Sequence, residues 1–426
     1  MPYPLLAGTA LLGLASPRAA HSGGYDTPIL YTARHQGMGG TAIGHVDDAS
    51  AVFHNPAGLA RVRAGSLLGD FSLLTAHITS SPGSPDLPRG DGSYRSRESE
   101  RIVAPLFLLG AAYRIATPVT VGLGVYPVAS ASAEYRAQNV LGRATVDRTR
   151  LVFIEASPAV AVRLRHNLGL ALGYRVTLAT LERVKGDAER PQEFDFSLRG
   201  VSWDGLRAGV QWQPNDHVAL GVVYRHKIAP TLHADNAYAY ADLTDAETTL
   251  VLPSKAGFGA SGRWSRVLAA LDLEYGFYSQ NDRTTLRGFN PSLNKTEQVT
   301  NRFAWKDAVT VRAGTEYSFG ADRQIAARAG YVFDGQVGNK AYPSAFGTPP
   351  TASHSVTVGG GYRRGGFALN LAAAYRVAAT SVAPSDVAGS ESCATCSKPG
   401  PEYNLAMLGL YLDFSFAFDA APLFGS

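Results

Sequence analysis

From about residue 67 onward the chain repeats one pattern: a segment of roughly ten residues with alternating apolar and polar side chains, then a turn, then another such segment. Successive side chains of a strand point to opposite faces, so this alternation specifies strands with one apolar and one polar face. In 309–319, Val309, Val311, Ala313, Tyr317 and Phe319 share one face, and Thr310, Arg312, Gly314, Glu316 and Ser318 share the other. In 324–334, Ile325, Ala327, Ala329, Tyr331 and Phe333 oppose Gln324, Ala326, Arg328, Gly330 and Asp334. Near the end, Leu410, Leu412, Phe414, Phe416 and Phe418 oppose Tyr411, Asp413, Ser415 and Asp419. Period alone leaves the direction open, because a soluble sandwich alternates too, with its apolar face inward.

The connections choose the direction. About fourteen strands can be read, and the links between them alternate short and long, as periplasmic turns and extracellular loops do in even-numbered bacterial barrels. The short links are 115–118, 165–167, 214–217, 320–323 and 363–366; the long, turn-rich ones are 80–100, 281–301, 335–353 and 380–401. A sandwich has no reason to alternate in this way. The expected fold class is therefore all-β, a transmembrane antiparallel barrel of about 14 strands with a small N-terminal hatch inside its lumen.

Composition agrees. Charged residues make up 17% of the chain, below the quarter or so usual in soluble proteins, while 45 Gly, 20 Tyr and 18 Phe suit a lipid-facing barrel. No apolar run after the N-terminus is long enough for a spanning helix, and mean hydropathy is −0.05. A net charge of +4 points to no nucleic-acid partner. Residues 1–22 read as a secretory signal, with an apolar segment at 5–14 followed by Ala15, Ser16, Ala19 and Ala20, although no cation precedes it and Arg18 lies in the cleavage zone. Residues 23–62 read as the separate hatch and 63–426 as the barrel. At about 40 residues the hatch is too small to fold alone and needs the partner surface a barrel provides. Cys393 and Cys396 lie in a Pro/Gly/Ser-rich stretch, which suits a local disulfide in an oxidising compartment better than a redox or zinc motif.

The run GMGGTAIGHVDDASAVFHNPAGLARV at 37–62, with Asn55, Pro56 and Ala57, resembles the N-terminal hatch of the FadL/TodX family of outer-membrane fatty-acid and hydrocarbon transporters. GLGVYPVASASAEY, WQPNDHVALGVVYRHKI, LVLPSKAGFGA, WKDAVTVRAGTEYSF, ARAGYVFDGQV and HSVTVGGGYR resemble successive later segments of that family. The resemblance implies a monomeric barrel in a Gram-negative outer membrane, plugged by the hatch and folded by the barrel-assembly machinery. It also implies that hydrophobic small molecules such as long-chain fatty acids diffuse through it without a cofactor. In that family the exit is sideways into outer-membrane lipid, at a kinked third strand. Here Pro127 lies in the corresponding stretch, where its missing N–H breaks pairing, and Ala129, Ser130, Ala131 and Ser132 follow it as small lining residues. The chain departs from the family in continuing to Ser426 after Phe418, where such barrels commonly end on an aromatic residue.

If the apolar face meets lipid, then Arg225, Asp272, Glu274, Arg312, Glu316 and Arg328 point into the lumen. A fatty-acid carboxylate there would need a cation, and the fork of an Arg can bind it twice, with Arg312 and Arg328 the best placed. The competing reading is that these side chains pair with one another and hold the hatch. Asn55 before Pro56 suits the start of a helical turn, and Asp47 and Asp48 suit a cap better than an ion. No G-x-S-x-G occurs and no nucleophile adjoins the histidines, so no enzyme is expected, and no metal either.

Overall fold

The computed structural model describes residues 32–80, 97–138, 143–187, 193–342, 348–383, 386 and 402–419. The expected signal segment 1–22, residues 23–31 of the expected hatch, the Cys393 and Cys396 pair and the tail beyond Asp419 lie outside the described residues.

Among the described residues, fourteen long antiparallel strands close on themselves. They are β1 (Gly65–Ser80), β2 (Ile102–Ala116), β3 (Val119–Gln138), β4 (Ala144–Arg163), β5 (Leu168–Asp187), β6 (Phe194–Trp212) and β7 (Val218–Arg225). Then come β8 (Lys255–Trp264), β9 (Val267–Gly276), β10 (Ala308–Phe319), β11 (Ile325–Asp334), β12 (Ser353–Arg364), β13 (Phe367–Ser381) and β14 (Glu402–Phe418). Each pairs with the next, and β14 returns to β1 from Gly65↔Phe418 to Thr79↔Asn404, so the sheet has no free outer edge along this seam. Turns of a few residues join β2 to β3, β4 to β5, β6 to β7, β8 to β9, β10 to β11 and β12 to β13, all at one end. The longer links all leave from the other.

The alternation resolves into a direction. Leu410 and Phe414 are 50% and 43% exposed while Asp413 between them is 1% exposed, and on β10 Tyr317 is 44% exposed beside Glu316 at 5%. The apolar face therefore points outward and the polar face into the lumen, the inverse of a soluble sandwich and the arrangement lipid demands.

Two hairpins extend the wall at the long-loop end. One, Thr231–Ala239 with Asp242–Thr249, lies between β7 and β8 and pairs with the upper part of β6. The other, Arg283–Asn290 with Lys295–Arg302, joins it through Thr244↔Phe289. The stretch 281–301, expected as a turn-rich loop, is thus mostly strand. Its two strands carry Thr, Asn, Arg, Lys, Glu and Gln on both faces, so they lack the apolar stripe that marks a membrane strand.

This topology predicts labelling. In a Cys393→Ser/Cys396→Ser background, a cysteine at Leu293, on the exposed tip of the second hairpin, should react with an impermeant maleimide on intact cells. One at Asn215, in the β6–β7 turn, should react only after the outer membrane is permeabilised. Labelling of Asn215 but not Leu293 on intact cells would invert the orientation.

Candidate functional site

The segment from Thr32 to Val62 occupies the lumen. It contains α1 (Ala33–Gln36), α2 (Ala51–His54) and a 3-10 turn (Pro56–Arg61), each too short to be stable alone, so the wall must hold them. It does so with inward-facing polar side chains from all around the barrel. Asp70 of β1 and Asp413 of β14, register partners, accept the backbone N–H groups of Ala33 at 3.1 Å and Arg34 at 2.8 Å. Asp272 of β9 accepts from Ala42 at 2.8 Å and Ile43 at 3.1 Å, and Thr357 of β12 accepts from Gly39 at 2.9 Å. Asn55 Oδ1 accepts from Ala57 N at 3.1 Å, capping the 3-10 turn with Pro56 at its first position, while its Nδ2 donates to Ile43 O at 2.8 Å and to Val210 O of β6 at 3.0 Å. One side chain thus starts a turn, ties two parts of the segment together and fixes both to the wall.

Inside the segment Arg34 pairs with Asp47 at 2.8 Å and Asp48 at 3.4 Å, and Asp48 also accepts from Ser50 N at 2.8 Å. Burial alone would push the Asp47 carboxyl up, but Arg34 outweighs it and holds the group well below the usual carboxylate range. The rings of His54, His35 and His45 stand 4.8 and 5.4 Å apart in sequence across the segment. Burial, then the field of Arg34, pulls His45 down to about 4, and burial with neighbouring His54 pulls His35 well below its ordinary value. The surroundings of His35 and His45 thus favour the neutral imidazole. Among the described residues no group of donors is arranged to hold a metal ion.

The six charged lumen candidates do not form one site. Arg225, Asp272, Glu274 and Arg312 line a cavity of about 70 Å³ on the long-loop side of the segment, together with Arg207 and Lys255. Arg328 and Glu316 line a different cavity on the short-turn side. The best-placed cations are also engaged: Arg312 lies 3.4 Å from Glu274, and Arg328 donates to Glu316 at 2.8 Å and to Asn370 at 2.8 Å. A ligand carboxylate would have to displace a carboxylate already present. Sequence reasoning missed a buried charge cluster, Glu155 on β4, Arg175 on β5 and Arg207 on β6. Glu155 accepts from Arg175 at 2.7 Å and from Tyr126 at 2.7 Å, and Arg207 Nη2 lies 3.4 Å from it. Arg207 also donates to the Val52 and Phe53 carbonyls, so this cluster holds α2. The signal was available in principle, as charges at inward parity in mid-strand.

Around Pro127 the wall opens. Below it β2 and β3 pair from Ala116↔Val119 to Leu109↔Val125, and there the pairing stops. Above it, the upper part of β3 remains paired with β4 but not with β2, until Glu100 N donates to Glu134 O at 2.7 Å near the top. The register on the β4 side slips between Pro127 and Ala129, a bulge that reverses parity. Tyr126 sits opposite Glu155, facing the lumen, whereas beyond the bulge Ala129, Ala131 and Ala133 take that face opposite Phe153, Leu151 and Thr149. Ser130 and Ser132 are turned to the other side. They line a cavity of about 140 Å³ whose remaining walls include Ile102, Ala104 and Leu106 of β2, Leu74 and Ile78 of β1, and Leu405 and Met407 of β14. Ala129, by contrast, is fully buried against β4 and does not face β2.

Residues 31–392 match the family model described as outer membrane protein transport protein (OMPP1/FadL/TodX). A provisionally named outer membrane protein of Neisseria meningitidis serogroup B is 27% identical over 320 residues, 68% of this chain, and the match spans 63% of that relative's length. The crystal structure of a Pseudomonas aeruginosa FadL homologue superposes with a TM-score of 0.73 at 17% identity, covering 93% of this chain and 100% of that one. The P. putida toluene transporter TodX gives a TM-score of 0.69 at 14% identity over 92% of this chain and 99% of that one. The Ralstonia pickettii toluene transporter TbuX gives 0.65 at 14% identity, again over 92% and 99%. With the family model spanning most of the closed, outward-apolar barrel, the chain belongs to the OMPP1/FadL/TodX family of outer-membrane transport proteins.

Proposed function

We propose that this protein admits hydrophobic small molecules, such as long-chain fatty acids, from the long-loop side and releases them sideways into the outer membrane between β2 and β3. The observation that carries this reading is the apolar cavity: it is lined from both edges of the unpaired stretch, so a molecule in it already adjoins the gap. Each CH₂ kept from water is worth roughly 0.8 kcal/mol, so release straight into the periplasm is strongly uphill for a long chain while release into lipid is not. The segment 32–62 acts as a hatch that blocks the axial route. For a fatty acid, the cations around the small charged cavity, Arg207, Arg225, Lys255 and Arg312, lie on the correct side of the hatch to receive a carboxylate, whereas Arg328 does not. No cofactor or energy source enters the scheme.

A single substitution tests the cavity. Leu106→Asp places a carboxylate where an apolar chain would lie and should cut uptake of labelled oleate by about tenfold or more, with barrel folding checked by heat-modifiable gel migration. Wild-type uptake by the folded variant would remove the cavity from the route.

A further inference from the structure

Beneath the hatch the lumen has the opposite chemistry. Two adjoining cavities of about 440 and 720 Å³ at the short-turn end share Arg34, Asp47, Arg61 and Arg363 in their walls. In the smaller one, Arg34 is neutralised by Asp47 and Asp48, and Arg328 by Glu316. Four further arginines, Arg61, Arg263, Arg323 and Arg363, line the same cavity without a carboxylate within 4.0 Å or a side-chain hydrogen bond among the described residues. They come from four places in the chain: the end of the 3-10 turn, the end of β8, the β10–β11 turn and the end of β12. Arg61 and Arg263 are half-buried and Arg323 and Arg363 exposed at the mouth; of the other acids in the lining, Asp216 and Asp322 are also exposed, and Asp322 already accepts from Gln324 at 3.3 Å. Burial and the fields of Arg163, Arg263 and Arg34 outweigh nearby Asp47 and hold the Arg61 guanidinium below its ordinary proton affinity.

Four like charges lining one open cavity repel, and together they present a positive field to whatever enters. The guanidinium fork is matched to the paired oxygens of carboxylate and phosphate. We propose that this vestibule is an anion-binding site that takes a carboxylate or phosphate group from the periplasmic side. The hatch separates it from the apolar cavity, so a molecule leaving between β2 and β3 never reaches it, and the site stands whether or not that route is correct. Because Arg61 belongs to the hatch and Arg263, Arg323 and Arg363 to the wall, an anion shared among them ties the hatch to the barrel.

The test is titration calorimetry on the full-length protein in a zwitterionic detergent and low-chloride buffer at fixed ionic strength. The titrants are inorganic phosphate, octanoate and dihexanoyl phosphatidate. At least one should bind saturably, and both Arg61→Gln/Arg363→Gln and the wall-only pair Arg263→Gln/Arg323→Gln should weaken that binding about tenfold or more. Arg165→Gln, on an exposed turn outside the vestibule, should leave it unchanged. Binding of phosphate marks a free anion as the occupant; binding of octanoate or phosphatidate alone marks the head of an amphiphile. Absence of binding by all three, or equal affinity in either folded double variant, would overturn the site.

Discussion

Bridging Ala104 of β2 to Ser130 of β3 should abolish uptake of hydrophobic substrates while leaving the barrel folded. In a Cys393→Ser/Cys396→Ser background, cysteines at these two positions flank the same cavity from opposite edges of the gap, so a short bis-maleimide can span it. The expectation follows from the pairing. β2 is held along most of its length by β1, from Tyr113↔Gly65 to Ile102↔Ala76, so it is a fixed post. Between Pro127 and Glu134 the upper part of β3 pairs with β4 and not with β2, and the bulge after Pro127 turns its small side chains toward the opening. Unpaired N–H and C=O groups cost several kcal/mol each in hydrocarbon, so such an edge persists only where it lines a cavity that passing molecules or water can enter. Ala129 is the wrong anchor for this experiment, since its neighbour is Phe153 on β4. Wild-type uptake by a variant whose cross-link is verified by mass spectrometry would eliminate the sideways exit. Pro127→Val, which restores a ladder N–H, should reduce uptake.

Much of this fold is legible in the sequence. Period-two alternation with short and long links gives the barrel because each membrane strand carries its own record of facing lipid on one side and water or protein on the other, as 309–319 does. Asn55 and Pro56 were legible for a similar reason, since a cap is a local event. The partners of the lumen charges were not. Glu316 and Arg328 sit directly opposite across the β10–β11 hairpin, which a correct turn register would have shown. Asp70, Asp272 and Asp413, however, serve backbone N–H groups 37, 230 and 379 residues away, and nothing in their own strands announces it. The hairpins at the long-loop end escaped because their buried face mixes Leu232, Leu243 and Leu286 with Thr248 and Asn290, which dilutes the alternation.

The hold of the 32–62 segment on the wall depends on missing side chains as much as on hydrogen bonds. Gly314 of β10 and Gly330 of β11 are register partners at inward positions, and a Cβ on either would run into the backbone of Met38 and Gly39. Gly39 itself adopts φ +70°, a conformation that side chains disfavour, so the chain at this point is shaped to lie flat against the wall. Gly330→Val therefore cannot be absorbed by a rotamer change and should lift this end of the hatch away from Thr357 and its neighbours. A barrel of about fourteen strands is wide enough to pass water once unplugged. Deleting residues 32–62 should accordingly turn a nearly closed barrel into an open pore in planar bilayers, raising single-channel conductance by about tenfold or more. Gly330→Val should give a flickering intermediate level, and Gly360→Ala, which has only Ala326 O at 3.8 Å beside it, should behave as wild type. Conductance unchanged by the deletion would mean that the segment seals nothing and that the closure lies in the loops above.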